Sequence, residues 1–265
     1  MKRGRIYCVH YGEDIEVTGK FISSLKPFLS ENLELVIINN FIGLNLDRLQ
    51  YDFVSILNPL VNLGYFGGIK YGMQHYPVED CDYVMLCNND ILINTPHFFR
   101  ILDEKLNLWD VIAPSTKTVN GVEQNPHRSR KPSKLRKIYY KIYFSGYIFA
   151  WLFEKFYDFR KSLTGNIDRI LEECEIFSPH GACIILNSTY FKKGGLIDDG
   201  YFLYGEEDSI AATAFKLKLK VGFVPGLEIL HMESVSTGKS ISNKKYCYKK
   251  SAYKYIKSTY KSLYD

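Results

Sequence analysis

The sequence predicts an α/β fold built on a mostly parallel, doubly wound sheet. Over the first 115 residues, short runs rich in β-branched residues alternate with longer amphipathic stretches, and the connections between them are short. Strand–helix–strand alternation of this kind is typical of parallel sheets that are covered by helices. Ligands of such sheets bind at the carboxyl ends of the strands, and polar clusters follow several of the predicted strands here.

Each element of this half follows from its own periodicity and from the turn residues that bound it. Buried strands are expected at Arg5–His10, Leu35–Asn39, Phe53–Leu57, Tyr83–Cys87 and Val111–Ala113. Helices are expected at Ile15–Leu29, from Asn62–Gly64 to about Tyr76, and at Pro96–Leu106.

The regular alternation stops at about residue 126 and resumes near residue 181. Residues 126–161 are first basic and then aromatic, with few Gly, Ser or Pro, which indicates an ordered helical insertion. The later elements are a strand at Gly181–Leu186, a helix at Tyr204–Leu219, short strands at Val221–Val224 and Glu228–His231, and a C-terminal amphipathic helix from Asn243 with Tyr246, Tyr253, Ile256 and Tyr260 on one side. We therefore expect a catalytic-type domain over residues 1–240 and a basic, Tyr-rich helix over 241–265.

Composition excludes several classes of protein. The chain has 265 residues, 46% hydrophobic and 24% charged, which is the profile of a globular protein and not of a disordered one. The longest uncharged aromatic-aliphatic run, Ile142–Phe153, is too short to span a bilayer, and no signal-peptide layout begins the sequence. The 6 cysteines form no CxxC pair and lack clustered His partners, which indicates reduced thiols, a cytoplasmic location and no zinc site.

Charge is segregated along the chain. Residues 128–141 hold seven Lys or Arg and no acid, and residues 239–265 hold eight Lys and one acid, so the rest carries 19 basic and 28 acidic residues. Both basic segments are interleaved with aromatic residues, as in helices that lie on anionic membranes. Nucleic-acid binding is not expected, because no recognisable nucleic-acid fold is present. An exposed charged face or a homodimer interface is the alternative to membrane docking.

Polar clusters fall at four predicted strand ends: Asn39-Asn40, Asn62–Gly68, Asn88–Asp90 and Tyr204–Asp208. The last three each have two interpretations. Asn88-Asn89-Asp90 offers a carboxylate and amide oxygens to a divalent cation, or caps the next helix through an Asx turn. Glycines 64, 67 and 68 let the backbone approach a phosphate, or merely turn the chain into a helix. The acids Glu206–Asp208 bear catalytic carboxylates, or complement a helix N-terminus.

In their order along the chain, these residues resemble family 2 glycosyltransferases with the GT-A fold, particularly the rhamnosyl- and galactofuranosyltransferase-like enzymes of bacterial surface polysaccharides. The resemblance runs from Tyr7 to about Thr237 without the insertion. The matching segments are Asn62–Gly72 beside the donor, Leu86–Ile91 at the family's Asp-x-Asp position, Ser178–Leu186 under the acceptor, and Tyr201–Asp208 followed by Ile229–Thr237.

The resemblance implies a role for each matching residue. Asp90, Asn88 and His231 would hold Mg²⁺ or Mn²⁺ on the diphosphate of a UDP- or dTDP-linked sugar. Glu207 would be the general base that deprotonates the acceptor hydroxyl, with Asp208 as the next candidate. The remaining contacts to the donor would come from His10, Tyr11, Asn39, Asn62, Gly64, Lys70, Asn88 and Asn89.

This chain departs from the family at three positions. Asn39 and Asn88 stand where relatives commonly have Asp, which lowers repulsion near a diphosphate but leaves fewer metal ligands. Lys70 stands where Asn is common, and either reaches a phosphate or faces solvent. His231 and His180 also have an alternative role as structural histidines within the core.

The expected function is inverting transfer of a sugar from a nucleotide donor to a glycan acceptor, expected to be lipid-linked, in bacterial polysaccharide or oligosaccharide synthesis. The enzyme would work peripherally on the cytoplasmic face of the inner membrane. Two rivals stay open: a nucleotidyltransferase of similar architecture, and a non-catalytic membrane- or polyanion-binding protein with a degenerate GT-A core.

Overall fold

A curled nine-stranded sheet with helices on both faces forms the body of the protein. The computed structural model describes residues 2–164, 172–233 and 241–261, with the backbone alone over 157–164. The strands are Gly4–His10 (β1), Leu33–Asn39 (β2), Val54–Leu57 (β3), Tyr83–Asn88 (β4), Ile91–Ile93 (β5), Val111–Thr118 (β6), Cys174–Glu175 (β7), Cys183–Asn187 (β8) and Val221–His231 (β9).

Eight α-helices are present among the described residues. They are Ile15–Leu25 (α1), Tyr65–His75 (α2), Phe98–Lys105 (α3), Lys134–Tyr143 (α4), Tyr147–Thr164 (α5), Ser188–Lys192 (α6), Glu206–Leu217 (α7) and Asn243–Thr259 (α8). The N-caps of α1, α4, α6 and α8 are Asp14, Ser133, Asn187 and Ser242, each of which accepts a backbone hydrogen bond through its side chain.

The sheet order is β3-β2-β1-β4-β8-β6-β9-β5, with β7 paired to β9. Strands β3, β2, β1 and β4 are parallel to one another, whereas β8 runs antiparallel between β4 and β6. The predicted α/β fold, with its parallel half and its crossover helices, is confirmed. Because β8 runs antiparallel to β4, it begins beside the carboxyl end of β4. The second half of the chain therefore lies against that end of the strand.

Several predicted elements have different bounds in the structure, and two of the differences arise at a proline. Helix α1 ends at Leu25 and continues as a 3₁₀ turn over Lys26–Phe28, because Pro27 has no N–H for the next α-helical bond. The two predicted strands Val221–Val224 and Glu228–His231 are one strand, β9, whose register against β6 shifts between Pro114 and Ser115. A β-bulge tolerates the missing N–H of Pro225, so the proline does not end the strand.

Both faces of the sheet are buried, so its strands read as continuous apolar runs. One core cluster includes Ile6, Cys8, Phe21 and Ile37, and the other includes Tyr7, Val36, Phe66 and Ile184. The alternation along β1 and β2 sends successive side chains to opposite cores. This packing holds the strand ends, and the polar residues that follow them, in fixed positions.

The insertion and the C-terminal helix pack on each other. Tyr143 of α4 and Ala150 of α5 share a small core with Ile241 and Tyr246. Phe144 stacks on Tyr253 of α8 with ring centroids 4.5 Å apart. The basic segments at 128–141 and 239–265, which are far apart in sequence, therefore form one helical layer over the described residues.

The helices of the described residues lack the length and apolarity needed to cross a membrane.

Candidate active site

Asp90 and His231 meet at the carboxyl end of β4. The first residue of β5, Ile91, pairs directly with His231 at the end of β9, so Asp90 lies beside the imidazole. The carboxylate Oδ1 of Asp90 is 3.3 Å from Nε2 of His231, and both residues are buried. Asn88 is half-buried at the end of β4, and its backbone N–H donates to the carbonyl of Ala182.

The orientation of the His231 ring is set by two residues behind it. Nδ1 of His231 is 2.7 Å from Oε1 of Gln124, and the amide nitrogen of Gln124 donates to Glu233 at 2.9 Å. Because the Gln124 amide is fixed by Glu233, its oxygen faces the ring, and Nδ1 of His231 is the protonated nitrogen. The other ring nitrogen, Nε2, then faces Asp90, as in a metal-ligating histidine with a supporting outer partner.

These two residues fit a divalent cation that is completed by its substrate. No group of three or more His, Cys, Asp or Glu side chains suited to a metal occurs in the described parts of the chain. Mg²⁺ and Mn²⁺ at phosphate-transfer sites are commonly held by one or two protein groups together with phosphate oxygens and water. An imidazole nitrogen and a carboxylate oxygen that face each other in a buried position are two ligands that such an ion can share.

Glu207 lies in the first turn of α7 and faces β8. Its Oε1 accepts a hydrogen bond of 3.2 Å from the backbone N–H of Gly181. Burial alone would raise the pKa of this carboxyl, but His127, His180 and the backbone N–H groups of Glu207 and Gly181 lower it overall. Glu207 is therefore a carboxylate at neutral pH, which is the form that a general base requires.

His180 connects Glu207 to the Asp90–His231 pair. Its ring centroid is 5.9 Å from that of His231, and it interacts electrostatically with Glu207 and Asp90. Nδ1 of His180 accepts a hydrogen bond from the backbone N–H of Ala182. Burial lowers the pKa of His180 to about 4, so the ring is neutral at physiological pH.

Glu206 points away from this cluster into the core. It is 5% exposed, and its Oε2 accepts a bond of 2.8 Å from the backbone N–H of Gly205. Burial, together with the neighbouring charge of Glu207, raises the pKa of Glu206 to about 8. Glu206 is consequently protonated at neutral pH and is not suited to accept a proton.

This raised pKa predicts how stability depends on pH. Between pH 4.5 and 8 the folded state retains a proton that the unfolded state releases, so Glu206 lowers the stability of the protein as pH rises through that window. Glu206→Gln is expected to remove this loss, worth on the order of a few kcal/mol between pH 5 and 8. Urea unfolding of the variant across that range checks it, with exposed Glu79→Gln as the control. Parallel wild-type and Glu206→Gln curves would contradict the assignment.

Asp208 is held by an arginine from the start of the insertion. Arg128 forms an ion pair with Asp208, with Nη2 of the guanidinium 3.3 Å from Oδ2, and it also donates to the Tyr140 hydroxyl at 2.9 Å. Arg128 belongs to the basic segment 128–141 in the sequence, but its side chain is mostly buried in this ion pair and is not part of a basic surface. The ion pair directs Asp208 toward the insertion, and Glu207 is the acid of the three that faces the strand ends.

Two residues predicted to contact the donor, His10 and Asn89, have buried side chains that form hydrogen bonds within the protein. His10 is fully buried, with Nδ1 2.7 Å from the Thr18 hydroxyl and Nε2 3.0 Å from the Gly12 carbonyl. Asn89 is also buried and donates to Thr18 at 2.9 Å. Burial lowers the pKa of His10, so this neutral ring holds the turn after β1 from beneath.

Asn39 and Asn40 hold the loops that follow β2 and precede α2. Asn39 is buried and donates to the Leu44 carbonyl at 2.8 Å and to Asn58 at 2.9 Å. Asn40 donates to the Gly64 carbonyl at 2.6 Å. Neither amide is exposed to a ligand at this strand end.

The turn before α2 is fitted closely to the segment that leads into α7. Asn62 accepts a 2.9 Å bond from the backbone N–H of Gly64, and Gly64 has a φ of 74°. A Cβ at Gly64 would lie 2.2 Å from the carbonyl oxygen of Phe202, so only glycine fits here. The Asn62–Gly64 segment therefore braces the approach to Glu207 rather than presenting an open glycine loop.

Tyr11 and Lys70 are the exposed members of the predicted donor set. Tyr11 is 49% exposed and packs edge-on against Phe41, which leaves its ring available at the end of β1. Lys70 forms an ion pair of 2.7 Å with Asp199 on the surface. Asp199 is therefore the partner of Lys70 in this structure.

A cavity of about 280 Å³, termed the Glu207 cavity, opens between α7, the insertion and α8. Glu207, Asp208 and Arg128 lie on its wall, and aromatic rings line much of the remainder, including Tyr139, Tyr140, Tyr143, Phe144, Tyr204 and Tyr253. The insertion and the C-terminal helix thereby reach the carboxylate of the candidate site.

Several residues of this site carry no signal in the sequence. Gln124 and His127 follow β6 in a loop without a motif, and their relevance comes only from contact with His231 and Glu207. Arg128 belongs to a basic run whose composition points to a surface. Only the arrangement of β6 beside β9 brings these residues to the carboxyl end of β4.

Solved structures with the same fold were found at low sequence identity. GalNAc-T7, crystallised with UDP, GalNAc and Mn²⁺, superposes with a TM-score of 0.63 at 12% identity, over 99% of this chain and 50% of that one. S. aureus TarS gives a TM-score of 0.56 at 11% identity, over 87% of this chain and 36% of that one. TarS 1-349 gives 0.53 at 11% identity, over 87% and 60%.

These likenesses establish the GT-A fold of glycosyltransferases. The chain spans between about a third and 60% of the length of the structures it matches. No protein-family model and no functionally described protein sequence matches the chain.

Proposed function

We propose that this chain is an inverting, metal-dependent glycosyltransferase that moves a sugar from a UDP- or dTDP-linked donor to a hydroxyl of a glycan acceptor. The observation that carries the proposal is the convergence of Asp90, His231 and Glu207 at the strand ends of a GT-A fold, with His180 between them. GalNAc-T7, of the same fold, was crystallised with UDP and Mn²⁺.

Asp90 and His231 are the residues that would hold Mg²⁺ or Mn²⁺, with Asn88 beside them. A bound divalent ion supplies Lewis-acid stabilisation of the departing nucleoside diphosphate. Gln124 keeps the ring of His231 turned so that Nε2 faces Asp90. Exposed Tyr11 offers a ring on which the nucleotide base can stack.

Glu207 accepts the proton of the acceptor hydroxyl as the oxygen of that hydroxyl attacks the anomeric carbon. A single displacement of this kind inverts the configuration at that carbon and requires no protein nucleophile. The Gly181 N–H holds the carboxylate in place, and this hydrogen bond, together with the nearby His127, favours its ionised form. Glu206, which is protonated, and Asp208, which is bound to Arg128, support the choice of Glu207 as the base.

The Glu207 cavity is the proposed site of the acceptor. Aromatic rings such as Tyr139, Tyr140 and Tyr204 suit the apolar faces of sugar rings, and the polar groups on the same wall suit their hydroxyls. The insertion supplies much of this wall, so the proposed acceptor specificity depends on it.

Turnover with nucleotide sugars tests the proposal against both rivals. The purified full chain is incubated with UDP- and dTDP-sugars, Mn²⁺ and candidate glycans, and nucleoside diphosphate release is measured. We expect release with at least one donor and its loss on chelation of the metal. Binding of donors without release would favour the non-catalytic protein, and pyrophosphate release from a nucleoside triphosphate and a sugar phosphate would favour a nucleotidyltransferase.

We also propose that the outer face of α4 and α5 docks on an anionic membrane, on the cytoplasmic side, where a lipid-linked acceptor would be met. Large apolar side chains stand exposed at helical spacing on α4 (Leu135, Ile138 and Ile142) and on α5 (Ile148, Leu152 and Phe156). Exposed lysines, including Lys134, Lys141 and Lys155, flank them. Apolar side chains bordered by lysines match an anionic interface better than they match water.

Vesicle flotation checks this docking. Ile148→Ser, Leu152→Ser and Phe156→Ser together are expected to lower binding to phosphatidylglycerol vesicles by about tenfold or more, since three apolar side chains leave the interface. The pair Leu60→Ser and Val61→Ser, exposed elsewhere on the molecule, is the control. Unchanged flotation, or a shift from dimer to monomer in solution without vesicles, would contradict membrane docking.

A further inference from the structure

A second cavity, of about 430 Å³, lies between the insertion and the C-terminal helix. We call it the lysine groove, because Lys141 of α4 and Lys250, Lys254 and Lys257 of α8 line it. The three lysines of α8 recur at intervals of four and three residues, which places them on one side of the helix. The fourth lysine, Lys141, faces them from α4.

The groove has an excess of positive charge that is not neutralised locally. No Asp or Glu of the described residues lines it. The adjacent Lys249 differs, since it pairs with Glu154 at 3.3 Å on the other side of α8. Four cations brought together without a carboxylate repel one another, and a bound anion would offset that repulsion.

The walls of the groove connect it to the candidate catalytic site. Phe144 and Tyr253, stacked 4.5 Å apart at an interplanar angle of 20°, line the lysine groove and also the Glu207 cavity. The two cavities therefore meet at this aromatic pair. A ligand that extends past Phe144 and Tyr253 would have one end among the lysines and the other beside Glu207.

We propose that the lysine groove binds a phosphate group carried by the acceptor, while the acceptor's sugar hydroxyl lies at Glu207. This inference rests on the proposed function and specifies the class of its acceptor as a phosphate-bearing glycan. Each lysine ammonium offers three donors to phosphate oxygens, and the hydroxyl of Ser258 at the same groove offers another. The groove adds no chemical step, because it positions the acceptor.

Direct binding of inorganic pyrophosphate tests the groove independently of turnover. Titration calorimetry is performed on the full chain with a chelator present, so that divalent-metal sites do not contribute. Lys250→Gln, Lys254→Gln and Lys257→Gln together are expected to weaken pyrophosphate binding by about tenfold or more. The charge-matched control is Lys216→Gln, Lys218→Gln and Lys220→Gln, three exposed lysines at the end of α7.

The result that would overturn the proposal is equal pyrophosphate affinity in the groove variant and in the control variant. All four groove positions are lysines on a helical surface, so both triple variants are expected to unfold at the wild-type temperature, which a thermal melt checks. Because the readout is binding, loss of the groove and failure of sugar transfer can be told apart.

A second arm distinguishes the source of the phosphate. The groove variant and the control variant are floated with vesicles of phosphatidylcholine and phosphatidylglycerol. Their KM values are also measured for a phosphorylated glycan and for its dephosphorylated form. If the groove serves the acceptor, the groove variant loses pyrophosphate binding and raises the KM for a phosphorylated glycan more than for its dephosphorylated form. If it serves membrane headgroups, vesicle binding falls while the two KM values change alike, and that outcome overturns the assignment to the acceptor.

Discussion

Glu207→Gln is expected to lower the turnover number for sugar transfer by about 10²–10⁴-fold, the usual contribution of a positioned general base. The amide has the same shape and can occupy the same place beside Gly181, but it does not accept the proton of the attacking hydroxyl. Donor affinity is expected to change by less than about threefold, because Glu207 is proposed to touch the acceptor and not the nucleotide. Initial rates and donor calorimetry measure the two quantities.

The neighbouring acids provide matched controls for this substitution. Glu206→Gln replaces a carboxyl that is already protonated at neutral pH and is expected to retain most of the activity. Asp208→Asn breaks the ion pair with Arg128 and is expected to raise KM for the acceptor more than it lowers kcat. A Glu207→Gln enzyme with near wild-type turnover would show that Glu207 is not the base.

Asp90→Asn is expected to abolish the dependence of nucleotide binding on divalent metal. Without the carboxylate, the remaining proposed side-chain ligand is the imidazole of His231, and metal affinity should fall by at least about 10–100-fold, the loss seen even for outer-sphere partners. Calorimetric titration of UDP with and without Mn²⁺ measures it. The exposed Asp80→Asn, in the loop before β4, is the control.

His231 provides a second test of the same ion. His231→Ala is expected to weaken metal-dependent nucleotide binding as Asp90→Asn does, and the double variant should lose little more than either single one, because both side chains are proposed to serve one ligand. Gln124→Ala is expected to have a smaller effect of the same kind through the ring orientation. Fully additive losses would contradict a shared ion.

The strands of the parallel half could be predicted from the sequence because burial on both faces leaves a direct trace there. Runs such as Tyr83–Cys87 are apolar throughout, and each ends in polar residues. The short strands β5 and β7 leave no such trace, since three and two residues carry no measurable period. The sequence predicts two short strands in place of β9, because Pro225 indicates a break in a strand unless the partner strand is known.

The candidate site was predictable only in part. Asp90 and His231 lie 141 positions apart in the sequence, whereas their side chains are 3.3 Å apart in the structure. Periodicity does not connect residues at such a separation, and only the resemblance to a family predicts that they share a site. His10 and Asn39 illustrate the opposite case. Their position after a strand is the same as that of a ligand-binding residue, but their side chains bond to Thr18 and Leu44 and hold the backbone.

The relation between the two basic segments could not be read from the sequence at all. Each looks like an independent amphipathic helix, and their mutual packing depends on contacts such as Phe144 with Tyr253 across more than 100 residues. This long-range contact is what creates both the Glu207 cavity and the lysine groove.

Anomalous scattering from a crystal of the protein with Mn²⁺ and UDP tests the central claim most directly. The account predicts a single manganese peak bonded to the Asp90 carboxylate and to Nε2 of His231, with the diphosphate on its other side and Glu207 facing the sugar position. A peak elsewhere, or UDP bound with its diphosphate away from Asp90 and His231, would contradict the account.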